Sequence, residues 1–242
     1  MGMIPWKIFS KAVDEAASKD CKAITLASRG EPTLHPQLPQ MIKYISDKGI
    51  LDLKINTNAT RLNDKLSHAI LENNVSELVF SVDAGTKETY EQIRVLGKFD
   101  KVLQNIKNFN EIRSKYFKKS KCITRISGVK VKSDQDIDQM VSFWQKHVDE
   151  VSIKPATPRW DSYNNQPCNS TESCNQLWER TYVWYDGQVN PCDFDYKSFL
   201  SMGNIEKNSI EEVWNSNEYN ELRNKHLKKE RSSCFPCDRC PL

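Results

Sequence analysis

Apolar residues recur along the first two thirds of the chain in two alternating periods. Trp6, Phe9, Val13 and Ala16 fall three or four apart, which puts them on one helix face, and Ala23-Ile24-Thr25-Leu26-Ala27 then reads as a strand. Leu38, Met41, Ile42 and Ile45 form the next helical stripe, stopped by Gly49, and Leu51-Asp52-Leu53-Lys54-Ile55 follows as a strand. Leu66, Ala69 and Ile70 precede the strand Leu78-Val79-Phe80-Ser81-Val82. Phe99, Val102, Leu103, Ile106 and Phe109 precede an extended stretch over 122–131. A helix through Ile137, Met140, Val141 and Trp144 leads into Val151-Ser152-Ile153. Strands separated by helices of this length are the units of a parallel α/β sheet or barrel. Such a fold ordinarily begins on a strand, so the opening helix predicts one more strand ahead of Met1.

Beyond Pro155 the pattern changes, and Pro, Asn, Ser and Thr crowd the chain as far as Thr171. A boundary there divides the protein into a core of residues 1–157 and a small domain of residues 158–242. In the second part Tyr182-Val183-Trp184-Tyr185 and Gln188-Val189 flank Asp186-Gly187, a hairpin signal that draws Cys174 and Cys192 together. Ser209-Ile210-Glu211-Glu212 is a capping box, opening one helix through Val213, Trp214 and Leu222. So little regular structure buries too small a core, which calls for a bound metal or cluster.

Composition adds its main information through eight cysteines in 242 residues. Lys and Arg number 35 against 32 Asp and Glu, a net charge of +3 that marks neither a nucleic-acid stripe nor a membrane-binding face. No stretch has the length of a membrane span and the N-terminus has no signal-peptide core, so a soluble cytoplasmic protein is expected, with oligomeric state undetermined. In a reducing compartment clustered thiols are metal ligands more readily than disulfides. Cys21 and Cys122 each open an apolar run and read as small buried hydrophobes. Cys168 is ambiguous. His35, His68, His147 and His226 are scattered and read as surface or helix-end residues, and Lys228-Lys229-Glu230-Arg231 reads as a solvated helix end.

In parallel α/β folds ligands bind at the C-terminal ends of the strands. The first strand is followed there by Ser28-Arg29-Gly30-Glu31-Pro32-Thr33, the second by Asn56-Thr57-Asn58-Ala59, and the third by Ser81-Val82-Asp83-Ala84-Gly85. Together these small polar groups suit an amine, a carboxylate and a ribose. Each also has an ordinary explanation: a turn, a helix N-cap, or a side chain satisfying backbone donors at a strand end. Trp160, Asp161 and Tyr163 follow the last strand, as a polar connection or a substrate-facing loop. In the tail, Cys174 and Cys192, with Gly187 between them, and Cys234, Cys237 and Cys240 bring two separated groups of thiols to one site. Four-thiolate sites take zinc or a [4Fe-4S] cluster, and spacing alone does not separate these. Five cysteines for four places leave one spare, for which Cys234 is the candidate.

Gly30-Glu31-Pro32-Thr33, Thr57-Asn58 and Ser81-Val82-Asp83, each after its strand, resemble the core of radical S-adenosylmethionine enzymes, whose fold is a partial (β/α)6 TIM-like barrel. The tail resembles their SPASM or twitch domains, small cysteine-rich α+β modules that bind auxiliary [4Fe-4S] clusters. Its matches are Cys174 to Cys192 with Gly187 in place, Met202-Gly203-Asn204-Ile205, Val213-Trp214-Asn215, Leu222-Arg223 and the closing cysteines. The resemblance implies that Gly30, Glu31 and Pro32 meet the amino group of S-adenosyl-L-methionine. It also implies that Asn56, Asn58, Ser81 and Asp83 line its other polar parts. Ala59 stands where the family usually has glycine, which strains any turn that needs positive φ. The family's C-x3-C-x2-C motif for a second, catalytic [4Fe-4S] cluster is absent from these residues and is expected ahead of Met1.

The expected activity is radical oxidation or modification of a peptide or of a small, sugar-like substrate, with S-adenosyl-L-methionine, the auxiliary cluster and an electron donor such as a flavodoxin or ferredoxin. No residue emerges as a substrate acid or base. The competing expectation is a catalytically incompetent module that holds a cluster or zinc and binds a peptide or partner protein.

Overall fold

The computed structural model describes residues 2–26, 29–157, 162–168 and 170–241, so Ala27, Ser28, Trp160 and Asp161 lie outside the described residues. The chain forms two compact units, residues 20–156 and residues 1–19 together with 157–242. Its first helix, α1 (Trp6–Ser18), belongs to the latter.

In the unit of residues 20–156 the order is β1 (Ala23–Leu26), α2 (Leu38–Asp47), β2 (Asp52–Thr57), α3 (Asp64–Glu72), β3 (Glu77–Ser81), α4 (Lys87–Ile93), α5 (Phe99–Tyr116), β4 (Ile123–Lys130), α6 (Ile137–Trp144) and β5 (Glu150–Pro155). The five strands form one sheet in sequence order, every pair parallel. Alternation along the strands gives the sheet two unlike faces. One carries Leu53, Ile55, Leu78, Phe80 and Ile126, all buried, and Phe80 meets Phe109 of α5 edge-on with ring centres 6.5 Å apart. Ile42, Ile45, Ile70, Ile106 and Trp144 of the helices are buried with them, each stabilising the fold by roughly 1.5–3 kcal/mol. The other face mixes polar residues with Val79 and Ile123. Lys54, Glu77 and Arg125 form a ladder there, with Lys54 2.8 Å and Arg125 2.6 Å from the Glu77 carboxylate.

Three of these helices begin where a short polar side chain takes a free backbone N–H. Asn63, Thr86 and Asp136 accept from Leu66, Thr89 and Gln139 at the starts of α3, α4 and α6. Helix α4 has no counterpart in the hydrophobic pattern, because its only buried residue is Tyr90. Cys122 is buried as expected, but Cys21 is exposed: it sits in the turn before β1, its thiol donating to the Ala23 carbonyl.

The loop after β2 is fastened from α5. Buried Asn105 donates through Nδ2 to the carbonyls of Ala59 (2.7 Å) and Thr60 (3.2 Å). Asn105→Leu preserves the volume but leaves both acceptors unpaired. Urea denaturation should show a loss of about 2 kcal/mol, the cost of orphaning buried backbone groups.

In the other unit, Ile8 of α1 shares an apolar core with Val189, Ile205 and Val213, and the Lys11 ammonium donates to the carbonyls of Ile205 and Asn208. Three short antiparallel strands, β6 (Tyr182–Val183), β7 (Gln188–Asn190) and β8 (Gly203–Asn204), make its sheet. Trp184 and Tyr185 belong to the hairpin turn rather than the strand, because Gly187, at φ +81°, donates back to the Trp184 carbonyl. A side chain at Gly187 would meet Asn204 Oδ1 at 2.7 Å. Beyond α7 (Gln176–Glu179), the single helix expected from 209 onward is two, α8 (Ile210–Trp214) and α9 (Asn217–Leu227). The Ser209–Glu212 capping box forms, but Ser216 caps a second start by accepting from Tyr219. Across that break Arg223 lies over the rings of Trp214 and Tyr219, 4.2 and 4.0 Å from their centres. Among the described residues no helix is long and apolar enough to cross a membrane.

Candidate functional site

At the C-terminal ends of β1, β2 and β3 the sequence-predicted residues divide by role. Glu31 caps the single turn Pro32–Leu34, and its carboxylate bridges two loops. Oε1 accepts from Thr33 N (3.0 Å), Thr33 Oγ1 (2.6 Å) and Thr57 Oγ1 (2.6 Å), while Oε2 accepts from Asn58 N at 2.6 Å. Asn58 turns its side chain onto its own loop, Oδ1 accepting from Thr60 N and Oγ1. Ala59 does adopt φ +60°, and Ala59 N donates to Thr57 Oγ1. Gly30, at φ +115°, gives the first loop a conformation that side chains resist.

Asp83 is likewise engaged within the rim. Arg94 donates to its Oδ2 from Nε (2.8 Å) and a terminal nitrogen (2.5 Å), and Val129 N donates to Oδ1 at 3.0 Å. Gln135 donates to the Asp83 carbonyl, so the end of β3 is tied to the end of β4. Asn56 and Ser81 are half-buried on the sheet face that carries the Lys54–Glu77–Arg125 ladder, each further along its strand than Lys54 or Glu77. The rim therefore consists of two carboxylate-stapled loops beside the sheet face that carries Asn56 and Ser81.

The second site lies wholly within residues 157–242. Cys174, Cys192, Cys237 and Cys240 line one cavity with Leu177, Phe194, His226 and Arg231. None of the eight cysteines is in a disulfide. Burial pushes the Cys192 thiol up to about 12 against hydrogen bonds from the backbone of Asp195 and Phe194 that favour its thiolate. Burial also raises Cys237 well above the ordinary thiol value, reinforced by Cys192, Cys234 and Cys240, so these sulfurs sit close enough to repel one another as thiolates. A cationic cluster core removes that repulsion and the desolvation cost together. Among the described residues no three His, Cys, Asp or Glu side chains converge as a site for a single metal ion.

Cys234 does not line the cavity. It is buried in an apolar cluster with Leu177 and Leu222, its thiol donating to the Glu230 carbonyl. Cys168 stands beside the last turn, with its N–H on the Asp238 carbonyl and its thiol on that of Cys240. The loop carrying Cys192 is fixed by Asp195, fully buried, whose carboxylate accepts from Phe199 N, Leu200 N and the Tyr163 hydroxyl.

Two cavity residues depart from their sequence reading. His226 is a helix-end residue, but it is fully buried rather than at the surface. Its Nδ1 accepts from Cys174 N at 3.2 Å, and burial, aided by Arg231, lowers its pKa to about 4. Arg231, read as part of a solvated helix end, is 3% exposed. Its guanidinium donates to the carbonyls of Cys237, Glu172 and Cys240, binding the cysteine-bearing turns together with a positive charge.

Residues 6–143 match the model of the Radical SAM superfamily, and residues 174–241 match SPASM, an iron-sulfur cluster-binding domain. The chain belongs to the radical SAM superfamily, and with that membership come S-adenosylmethionine and [4Fe-4S] chemistry. It is 33% identical over 100 residues to Fe-coproporphyrin III synthase of Methanosarcina barkeri, 41% of this chain and 24% of that protein. The chain spans about a quarter of the length of the curated relatives it matches. Among solved structures it is similar to BtrN in complex with AdoMet and 2-DOIA, with a TM-score of 0.65, 18% identity, and all of this chain and 82% of that one covered. It is also similar to Streptococcus suis SuiB bound to the precursor peptide SuiA, with a TM-score of 0.72, 15% identity, and 99% and 65% covered.

Proposed function

We propose that the protein acts as a radical S-adenosylmethionine enzyme that oxidises or modifies a peptide or a small polar substrate. The observation that carries this reading is that four thiols, Cys174, Cys192, Cys237 and Cys240, line one cavity in a chain whose residues 6–143 match the radical SAM model. The rim residues Gly30, Glu31, Pro32, Asn56, Asn58, Ser81 and Asp83 bind the cofactor. Glu31 and Asp83 hold the loops in place, while Asn56 and Ser81 offer hydrogen bonds from the sheet face. Held there, S-adenosylmethionine would supply hydrogen-atom abstraction from substrate once one electron from a reduced [4Fe-4S] cluster cleaves its C5′–S bond, with methionine as the leaving group. The rim's part is to orient reactants and exclude water.

A peptide substrate gains weight from SuiB, whose structure holds a precursor peptide, and a non-peptide alternative is kept beside BtrN, whose structure holds AdoMet and 2-DOIA. An electron donor of the flavodoxin or ferredoxin type completes the reaction. The match over residues 6–143 favours this enzyme reading over a non-catalytic binding module.

Reconstituted with iron and sulfide without oxygen, the chain should turn brown and hold one auxiliary [4Fe-4S] cluster, read by iron and sulfide analysis and visible absorption. A colourless protein retaining zinc and taking up no iron would refute the reading.

A further inference from the structure

His226 has no place in the ligand set, yet it is fully buried in the wall of the thiol-lined cavity. Its Nδ1 accepts the Cys174 N–H, which fixes the neutral tautomer and leaves the proton on Nε2. That Nε2 is buried and has no hydrogen-bond partner among the described residues. A buried donor without an acceptor is rare in folded proteins and calls for a ligand that supplies one. The cavity it lines also carries four cysteine sulfurs, apolar Leu177 and Phe194, an Arg231 guanidinium that can only donate, and the oxygens of Ser162, Gln176 and Asp195, none of which is bonded to Nε2.

We propose that His226 is the hydrogen-bond donor to the auxiliary cluster: anchored at Nδ1 by the backbone of the ligand Cys174, it presents Nε2–H to a cluster or cysteinyl sulfur and raises the cluster's reduction potential. The proposal rests on the reading of Cys174, Cys192, Cys237 and Cys240 as cluster ligands. The reduced cluster carries one more negative charge on its sulfurs, so a fixed N–H stabilises it more than the oxidised form. Arg231 acts in the same direction through its charge, but its nitrogens are turned to the carbonyls of Cys237, Glu172 and Cys240. His226 is thus a positioning and tuning residue. It also ties the end of α9 to the start of the cluster loop, since its own carbonyl accepts from Ser173 Oγ at 2.9 Å.

The test compares the wild-type chain with His226→Asn and His226→Gln after anaerobic reconstitution, by iron and sulfide content, redox titration followed by EPR, and proton ENDOR in H2O and D2O. Asparagine keeps an acceptor near the Nδ1 position and is too short to replace Nε2, whereas glutamine restores a donor near Nε2. With clusters at wild-type content, H226N should lower the reduced-to-oxidised ratio at a fixed potential about tenfold, which is about 59 mV for one electron. H226Q should recover at least part of the shift. The wild-type reduced cluster should show an exchangeable proton coupling that H226N lacks. A full cluster content with unchanged potential and coupling in H226N overturns the role of His226 while leaving the ligand assignment standing. Where H226N takes up no iron, H226Q decides by the same readouts: a retained coupling and near-wild-type potential support the role, and loss of the coupling with no change in potential overturns it. Failure of the wild-type chain itself to take up a cluster removes the reading beneath the inference.

Discussion

Cys237→Ala is expected to abolish cluster uptake, while Cys234→Ala, three residues away, leaves it intact. Cys237 lines the cavity with three other thiols, whereas Cys234 packs against Leu177 and Leu222 beside it. Removing the Cys234 thiol deletes about one methyl's worth of buried volume and should cost about 1 kcal/mol. Losing a cluster ligand is a change of another order. Structural metal centres contribute on the order of 10 kcal/mol, as much as the whole stability of a typical domain. Residues 157–242 hold short helices and strands of two or three residues, so without the cluster that segment should become protease-sensitive. Iron analysis and limited proteolysis of the two variants check this, and uptake by Cys237→Ala equal to wild type would remove it from the ligand set. A pH dependence follows as well. Burial holds Cys192 near 12 and raises Cys237 in the cluster-free chain, so both are protonated at neutral pH and must release protons to bind. Reconstitution should therefore weaken as the medium is acidified and strengthen towards alkaline pH.

The sheet was legible because Leu53 and Ile55, or Leu78 and Phe80, repeat at the strand period and face helices whose own stripes are equally regular. Elements with little to bury escaped. Helix α4 buries only Tyr90, and β8 is a two-residue strand defined by its pairing with β7 rather than by any pattern of its own. The break between α8 and α9 was written in Asn215-Ser216, but the flanking apolar spacing runs through it and hides the second cap. In the site, the positions of carboxylates and thiols were readable as motifs, while their partners were not. Nothing local says that Glu31 accepts from Thr57 and Asn58, 26 and 27 residues on, or that Asp83 accepts from Val129. His226 and Arg231 were missed for a related reason. A histidine at a helix end and an arginine after two lysines look solvated until the fold brings Cys174, Cys237 and Cys240 around them.

Those long-range partners give Glu31 the second large effect. Glu31→Ala is expected to destabilise residues 20–156 by about 3 kcal/mol, because charge-assisted bonds contribute more than neutral ones and two of the four here join separate loops. Urea denaturation reads that loss directly. Affinity for S-adenosylmethionine, by equilibrium dialysis, should fall at least tenfold, since the loop that Gly30 and Pro32 belong to is no longer held against the end of β2. Glu31→Gln separates holding from contact. Its amide nitrogen would face donors from Thr33, Thr57 or Asn58 instead of accepting from them, so it should lose stability as well as affinity. A glutamine variant with wild-type stability but weakened binding would assign the carboxylate to the cofactor itself rather than to the loops.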